Sequence, residues 1–194
     1  MKVLVLDNYD SFTYNLVYLL RQMDLELEVH RNDRITPEQA LAFRTIILSP
    51  GPGIPSEAGN MPDIIAKCVG QVPILGICLG HQAIAEFVGA SLINRSLVLH
   101  GVQHEMEITA PESALFKGLN NKLLVGRYHS WEVDKKSLPD SMNVTAIDDQ
   151  GCVLAMEDLE RKLYGLQFHP ESIMTPEGPA MVRNFIHSCQ LKAI

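Results

Sequence analysis

The sequence has no Cys-x-x-Cys pair, no excess of basic residues and no apolar run long enough to cross a membrane. Each absence excludes a class of protein. The four cysteines, Cys68, Cys78, Cys152 and Cys189, stand at irregular spacings, which argues against a structural zinc site or a dense disulfide framework. Thiols without such a framework point to a reducing, cytoplasmic compartment. The 16 basic residues are outnumbered by 23 acidic ones, a formal net charge of −7. A general nucleic-acid binder shows the opposite balance, so no nucleic-acid partner is expected. The apolar run within Met1–Asp7 is too short for a signal peptide or a membrane span, and no membrane partner is expected. We read it as a mature start that enters a strand directly. No repeat, linker or low-complexity segment interrupts the chain.

What is present is ordinary globular material. With 194 residues, 46% hydrophobic and 20% charged, the chain is expected to be a single domain, 1–194, with a core of its own. Residues 2–6 form an almost purely apolar run, which fits a strand buried on both faces. A helix carrying Phe12, Leu16, Leu19, Leu20 and Met23 should follow, with Asp10 or Ser11 as its N-cap. Strands are expected at 25–29, 45–48 and 72–77, and helices at 37–43, 61–69 and 80–88. This alternation predicts an α/β fold: an open, mostly parallel sheet with helices on both faces. Short strands at 91–98, 104–109, 122–128, 142–147, 152–157 and 162–168 should add antiparallel strands at one edge, and a last helix should cover about 177–189. Ligands on such a sheet bind at the carboxyl ends of the strands. Three segments stand there: the loops after Leu48 and Ile77, and the stretch after Phe168.

The second of these carries chemistry. An apolar strand runs into Gly76-Ile77-Cys78-Leu79-Gly80, and a helical pattern follows at once. This is the nucleophile-elbow pattern with sulfur in place of oxygen. A sharp strand-to-helix turn needs small residues on either side, and Gly76 and Gly80 supply them. A cysteine there lies at a helix N-terminus, where the dipole and the open N–H groups favour thiolate. The N–H of Leu79 points to where an oxyanion would form. Cys68, Cys152 and Cys189 lack this setting and read as small hydrophobes.

A nucleophilic thiol needs a base, and the base needs an orienter. His169 ends an apolar strand and is followed by Pro170 and Glu171, so one ring nitrogen can meet a carboxylate while the other faces the thiol. His81 is expected to pack on its helix. His100, His104 and His129 have no similarly placed carboxylate, and His30 and His187 read as surface residues. No histidine cluster has metal-ligand spacing, so no metal site is expected.

Gly-x-Cys-x-Gly-His81-Gln82 with the later His169-Pro170-Glu171 resembles the class I, triad-type glutamine amidotransferases, whose fold is flavodoxin-like. Asp7-Asn8-Tyr9-Asp10-Ser11-Phe12-Thr13-Tyr14-Asn15 resembles more narrowly the glutaminase subunits of anthranilate synthase and aminodeoxychorismate synthase. Ser49-Pro50-Gly51-Pro52-Gly53, Arg127-Tyr128-His129-Ser130 and Gln167-Phe168-His169-Pro170-Glu171-Ser172 agree, and the likeness runs the full chain. The resemblance implies that L-glutamine is hydrolysed to glutamate and that ammonia passes to a chorismate-binding synthase subunit. It implies Cys78 as nucleophile, His169 as base and acid, and Glu171 as orienter. Gly51, Pro52 and Gly53 would line the glutamine and oxyanion pocket with Leu79. Gln82, Ser130 and Trp131 would hold the α-amino and α-carboxyl ends. No cofactor is implied in this chain, and Mg2+ belongs only to the partner subunit. The loop 49–59 looks more like the anthranilate branch, of tryptophan synthesis, with the aminodeoxychorismate branch, of folate synthesis, or a subunit shared by both synthases as the alternatives.

Three positions depart from the family pattern: Ala90 after Gly89, Val102 after Gly101, and Trp131 where leucine is usual. None belongs to the triad, but Trp131 is expected to reshape the glutamine pocket or the partner-facing rim. On the residues alone, the Ser-Pro-Gly-Pro-Gly segment is also readable as a plain turn; no Gly-Lys-Ser/Thr follows it, which excludes a phosphate loop. A catalytically silent binding module is disfavoured by the complete Cys78, His169 and Glu171 set. A stand-alone cysteine hydrolase, such as a γ-glutamyl peptidase, would have no need of the Asp7–Asn15 segment.

Overall fold

The computed structural model describes residues 1–94 and 99–191. In chain order the elements are β1 (Lys2–Asp7), α1 (Thr13–Arg21), β2 (Glu26–Arg31), α2 (Pro37–Ala40), β3 (Thr45–Leu48), α3 (Met61–Cys68), β4 (Ile74–Ile77) and α4 (Leu79–Phe87). Then come β5 (Leu92–Asn94), β6 (Val102–Ile108), β7 (Lys122–Arg127), β8 (Trp131–Val133), β9 (Asn143–Ile147), β10 (Val153–Asp158), β11 (Leu163–Leu166) and α5 (Gly178–Leu191). Nine strands form one sheet in the order β2-β1-β3-β4-β11-β10-β9-β6-β7. β2, β1, β3, β4 and β11 run parallel. β10, β9, β6 and β7 continue the sheet antiparallel. β5 and β8 pair separately.

The side-chain alternation of β1 shows why its sequence has no polar face. Val3 and Val5 pack with Leu16 and Leu20 of α1 and Phe185 of α5. Leu4 and Leu6 pack on the other side with Ile64 of α3 and Ile84 of α4. Each of these four β1 side chains is fully buried, and each such burial contributes about 1.5–3 kcal/mol. Helices cover both faces, as the α/β pattern requires. No helix among the described residues is long and apolar enough to cross a membrane.

Several local expectations are corrected. The N-cap of α1 is Phe12, not Asp10 or Ser11. Asp10 Oδ1 accepts from Phe12 N at 2.7 Å, so it closes a turn just before the helix. The helix begun by Pro37 stops at Ala40; Ala42 and Phe43 bond back to Gln39 and Ala40, tightening the chain into turns. β11 ends at Leu166, which leaves Phe168 and His169 beyond the strand, free to curve over the sheet's end. β8 was not anticipated from the pattern. Of the strand expected at 91–98, the part after Asn94 lies outside the described residues.

Candidate active site

β4 runs directly into Cys78, which has φ 52° and ψ −99°, and α4 starts at the next residue. A non-glycine residue held there costs about 1–3 kcal/mol. The surroundings hold it. Cys78 N donates to Leu166 O at 2.8 Å, and Gln82 N donates to Cys78 O at 3.0 Å. The flanking glycines are needed for space. A Cβ on Gly80 would stand 2.6 Å from Leu48 Cβ, so α4 can start against the end of β3 only without one.

His169 is placed by backbone and side-chain bonds from two directions. Its N–H donates to Gly126 O at 3.0 Å, at the end of β7. Thr175 Oγ1 donates to His169 O at 2.7 Å and accepts from Gly126 N at 2.9 Å. The ring's Nδ1 donates to Glu171 Oε1 at 2.7 Å. Nε2 is enclosed and, among the described residues, meets the Cys78 sulfur only loosely, without a hydrogen bond of good geometry. Such contacts commonly tighten when substrate binds. Burial opposes the ring's charge, but Cys78 and then Glu171 outweigh it and push His169 up from 6.5 to about 10. The surroundings therefore favour the protonated ring. Phe12 and Tyr128 stand edge-on to it, with centroids at 5.6 and 4.9 Å.

The loop after β3 closes the other side. Asn8 N donates to Ser49 Oγ at 2.9 Å, and Asn8 Nδ2 donates to Ser49 O at 2.8 Å. Gly51 follows, so tightly seated that a Cβ there would lie 2.6 Å from Asn8 Cβ and 2.7 Å from Leu79 Cδ2. Gly51 and Leu79 are thus together at the elbow. Pro52 and Gly53 lie farther out on the exposed rim, with Gly53 at φ 76°. The N–H of Leu79 belongs to the first turn of α4, where amides have no intrahelical acceptor. Gln82 is buried and donates to Trp131 O at 2.8 Å and to Gln167 Oε1 at 3.3 Å. Its amide hydrogens are therefore committed inside the protein, and it holds the turn that carries Ser130 and Trp131, both half-buried.

The remaining histidines divide by environment. His81 is wholly buried against Gly165, and burial lowers it to about 3, so it stays neutral and cannot serve as the base. His187 is exposed, whereas His30 is half-buried and pairs with Glu28 at 3.1 Å. Among the described residues no group of three or more His, Cys, Asp or Glu side chains is close enough to hold a metal ion.

Residues 4–189 match the family model described as glutamine amidotransferase class-I. The chain belongs to this family. Aminodeoxychorismate/anthranilate synthase component 2 of Bacillus subtilis is 41% identical over 194 residues, covering 99% of both chains. The bifunctional protein TrpGD of Thermotoga maritima is 41% identical over 190 residues; the match covers 96% of this chain but only 32% of that longer protein. A crystal structure provisionally described as a GMP synthase subunit from Thermoplasma acidophilum superposes with a TM-score of 0.88 at 28% identity, covering 99% of this chain and 95% of that one. In this amidotransferase the strained turn at Cys78 joins β4 to α4.

Two contributors to the site were not legible in the sequence. Phe12 reaches His169 from the start of α1, and Tyr128 from beyond β7. Only the fold brings these distant segments to one imidazole, although Tyr128 sits inside a motif that resembles the family's.

Proposed function

We propose that the chain is the glutaminase subunit of a chorismate-aminating synthase, with anthranilate synthase as the assembly it serves. The observation that carries this reading is Cys78, held at φ 52° on the turn between β4 and α4, together with His169, whose Nδ1 meets Glu171 Oε1 at 2.7 Å. It is supported by membership of the amidotransferase family and by the name of the Bacillus relative, which joins both chorismate synthases. That double name makes the aminodeoxychorismate branch the alternative outcome of the test.

The chemistry follows from the placement. The Cys78 thiolate attacks the side-chain carbonyl carbon of glutamine. The oxyanion forms at the N–H of Leu79 and the 51–53 loop. The His169 imidazolium gives its proton to the leaving nitrogen, the C–N bond breaks, and ammonia departs from a γ-glutamyl thioester. Neutral His169 then takes a proton from water, and the hydroxide attacks the thioester. Collapse releases glutamate and restores the thiolate–imidazolium pair. Glu171 keeps the imidazole in the tautomer that aims Nε2 at the sulfur. Ser130 and Trp131 receive the α-amino and α-carboxyl ends, and Gln82 steadies them from behind.

The partner is a synthase subunit that binds chorismate and uses the ammonia, and the compartment is cytoplasmic. Free turnover is expected to be low, because wasteful hydrolysis is commonly gated by partner-driven closure. The test combines this chain with chorismate-using subunits from its own source, glutamine and chorismate. Anthranilate as product bears the reading out, and 4-amino-4-deoxychorismate moves the chain to the other branch. Cys78→Ala is expected to abolish glutamine-dependent synthesis and spare synthesis from added ammonia. Neither product, with an intact Cys78, overturns the reading.

A further inference from the structure

A fully buried arginine stands at the end of β7, and glutamine hydrolysis itself does not use it. Arg127 exposes no surface, so its charge must be met inside the protein. Its five N–H donors can be followed one at a time. One Nη1 hydrogen goes to Asp148 Oδ2 at 2.5 Å and the other to His104 Nδ1 at 3.2 Å. Nη2 donates to Cys152 Sγ at 3.2 Å and lies 4.0 Å from Glu132 Oε2. Nε donates to His129 Nε2 at 3.0 Å.

Asp148 is the anchoring counter-charge. It lies in the β9–β10 turn, where Oδ1 accepts from the backbone N–H of Gln150 at 3.0 Å and of Cys152 at 2.8 Å. Burial works against its charge, but Arg127 and these amides outweigh it and hold the carboxyl below its ordinary value. Cys152 is pushed up to about 12, first by burial, with Arg127 opposing and Glu132 and Asp148 adding to the rise. It therefore stays a thiol.

The consequence runs through proton positions. A guanidinium only donates and does not lose its proton. His129 Nε2 is therefore an acceptor and carries no hydrogen. A neutral imidazole has one N–H, so the proton sits on Nδ1. That nitrogen is 2.8 Å from Trp131 O, which only accepts. Trp131 O also takes Gln82 Nε2–H at 2.8 Å. One carbonyl is thus held by two donors, Gln82 from α4 beside the nucleophile and His129, whose proton the buried arginine places. The hydrogen bonds of Arg127 to Asp148, His104 and Cys152 end within the antiparallel half of the main sheet; the one passed on by His129 ends on the turn beside the nucleophile, where Glu132 of β8 also approaches the guanidinium at 4.0 Å.

We propose that Asp148, Arg127 and His129 form a buried positioning chain that sets where the Ser130–Trp131 turn presents itself to the α groups of glutamine. The proposal rests on the glutamine reading of that turn. None of the three touches the reacting atoms; each acts through the next. The charge on Arg127 fixes the tautomer of His129, and the tautomer fixes the carbonyl of Trp131.

Two probes of Cys78 separate this role from general damage. Iodoacetamide needs only a reactive sulfur. The glutamine-shaped electrophile 6-diazo-5-oxo-L-norleucine needs its α groups held as well. Both are applied to the full chain with its synthase subunit and chorismate present, and modification of Cys78 is read by peptide mass. His129→Gln leaves an amide able to meet Arg127 but withdraws the donor from Trp131 O. His129→Asn leaves a donor near Trp131 O. Labelling by the diazo compound is expected to slow about tenfold or more in His129→Gln, with a matching rise in KM for glutamine. His129→Asn is expected to stay within about threefold of the parent, while iodoacetamide reacts alike with all three. Asp148→Asn weakens the anchor and is expected to shift the ratio of the two rates in the same direction. An unchanged ratio in both His129→Gln and Asp148→Asn overturns the proposal, as does equal slowing by both probes. Failure of the parent protein to take the diazo compound while still reacting with iodoacetamide overturns the glutamine reading instead, and this proposal with it.

Discussion

Gly76 and Gly80 stand so close at the elbow that a methyl group on Gly76 would lie 2.3 Å from the carbonyl carbon and oxygen of Gly80. Backbone faces backbone here, and no flexible side chain can yield. Gly76→Ala is therefore expected to lose about 3 kcal/mol or more, by urea denaturation, and to slow alkylation of Cys78 sharply. Gly70→Ala is the control. Gly70 has φ 74° and nothing within 4 Å of an added Cβ, so only backbone strain of about 1–2 kcal/mol is expected, with activity kept.

The strain at Cys78 yields a second expectation. Its φ of 52° is one that glycine adopts freely and alanine does not. Cys78→Gly and Cys78→Ala both remove the sulfur and both should abolish glutamine hydrolysis. The glycine variant is expected to be more stable than the alanine variant by about 1–2 kcal/mol, in the range of the relieved strain. Equal midpoints in parallel denaturation curves would show that the elbow is not held against the residue's own preference.

The state of His169 makes stability depend on pH with a definite sign. Its value rises from 6.5 to about 10 on folding, with burial opposing and Cys78 and Glu171 prevailing. The folded state binds the proton more tightly, so the stabilisation is complete below about 6.5 and is lost as pH climbs through 10. Unfolding free energy is expected to fall between those limits. The fall should be shallower in Cys78→Ala and in Glu171→Gln, each lacking one of the partners that raise His169. Identical slopes in parent and variants would mean that the imidazolium pairing does not act in the folded state.

How much of this was legible depended on how local each feature was. Gly76-x-Cys78-x-Gly80 and His169-x-Glu171 are short patterns whose spacing already dictates contact, so the elbow and the imidazole–carboxylate pair could be read directly. The parallel half of the sheet was equally plain, because β1, β3 and β4 are buried on both faces and show it in composition. The antiparallel half hides its logic. Nothing in the spacing of Arg127, His104 and Asp148 shows that they meet; the order β10-β9-β6-β7 brings them together. The α1 cap misled because Asp10 and Ser11 are good capping types. Asp7 Oδ1 instead organises this segment, accepting from Tyr9 N at 2.9 Å and from Thr13 Oγ1 at 2.9 Å.

The groove between α1 and the segment after His169 offers the last prediction. Ile173, next but one to Glu171, is 96% exposed, and Tyr18 on α1 is 69% exposed. Both line a groove of about 580 Å³ that includes Glu171, Pro170 and Pro176. A single exposed apolar residue is ordinary, but these two share a groove with Glu171, which meets the His169 ring at 2.7 Å. Under the proposed function ammonia would pass to a second subunit, and the proposed synthase subunit is the occupant this exposed apolar groove suits. Ile173→Asp is expected to weaken association with that subunit at least tenfold, about 1.4 kcal/mol, by calorimetry or sedimentation. The variant's own unfolding midpoint should not change. Glutamine-dependent product should fall at low subunit concentration and recover at high, while ammonia-dependent product is unaffected. Leu159→Asp is the control, since Leu159 is 56% exposed in the β10–β11 turn, at the opposite end of the sheet. Equal affinity for Ile173→Asp and the parent protein would place the partner on another face.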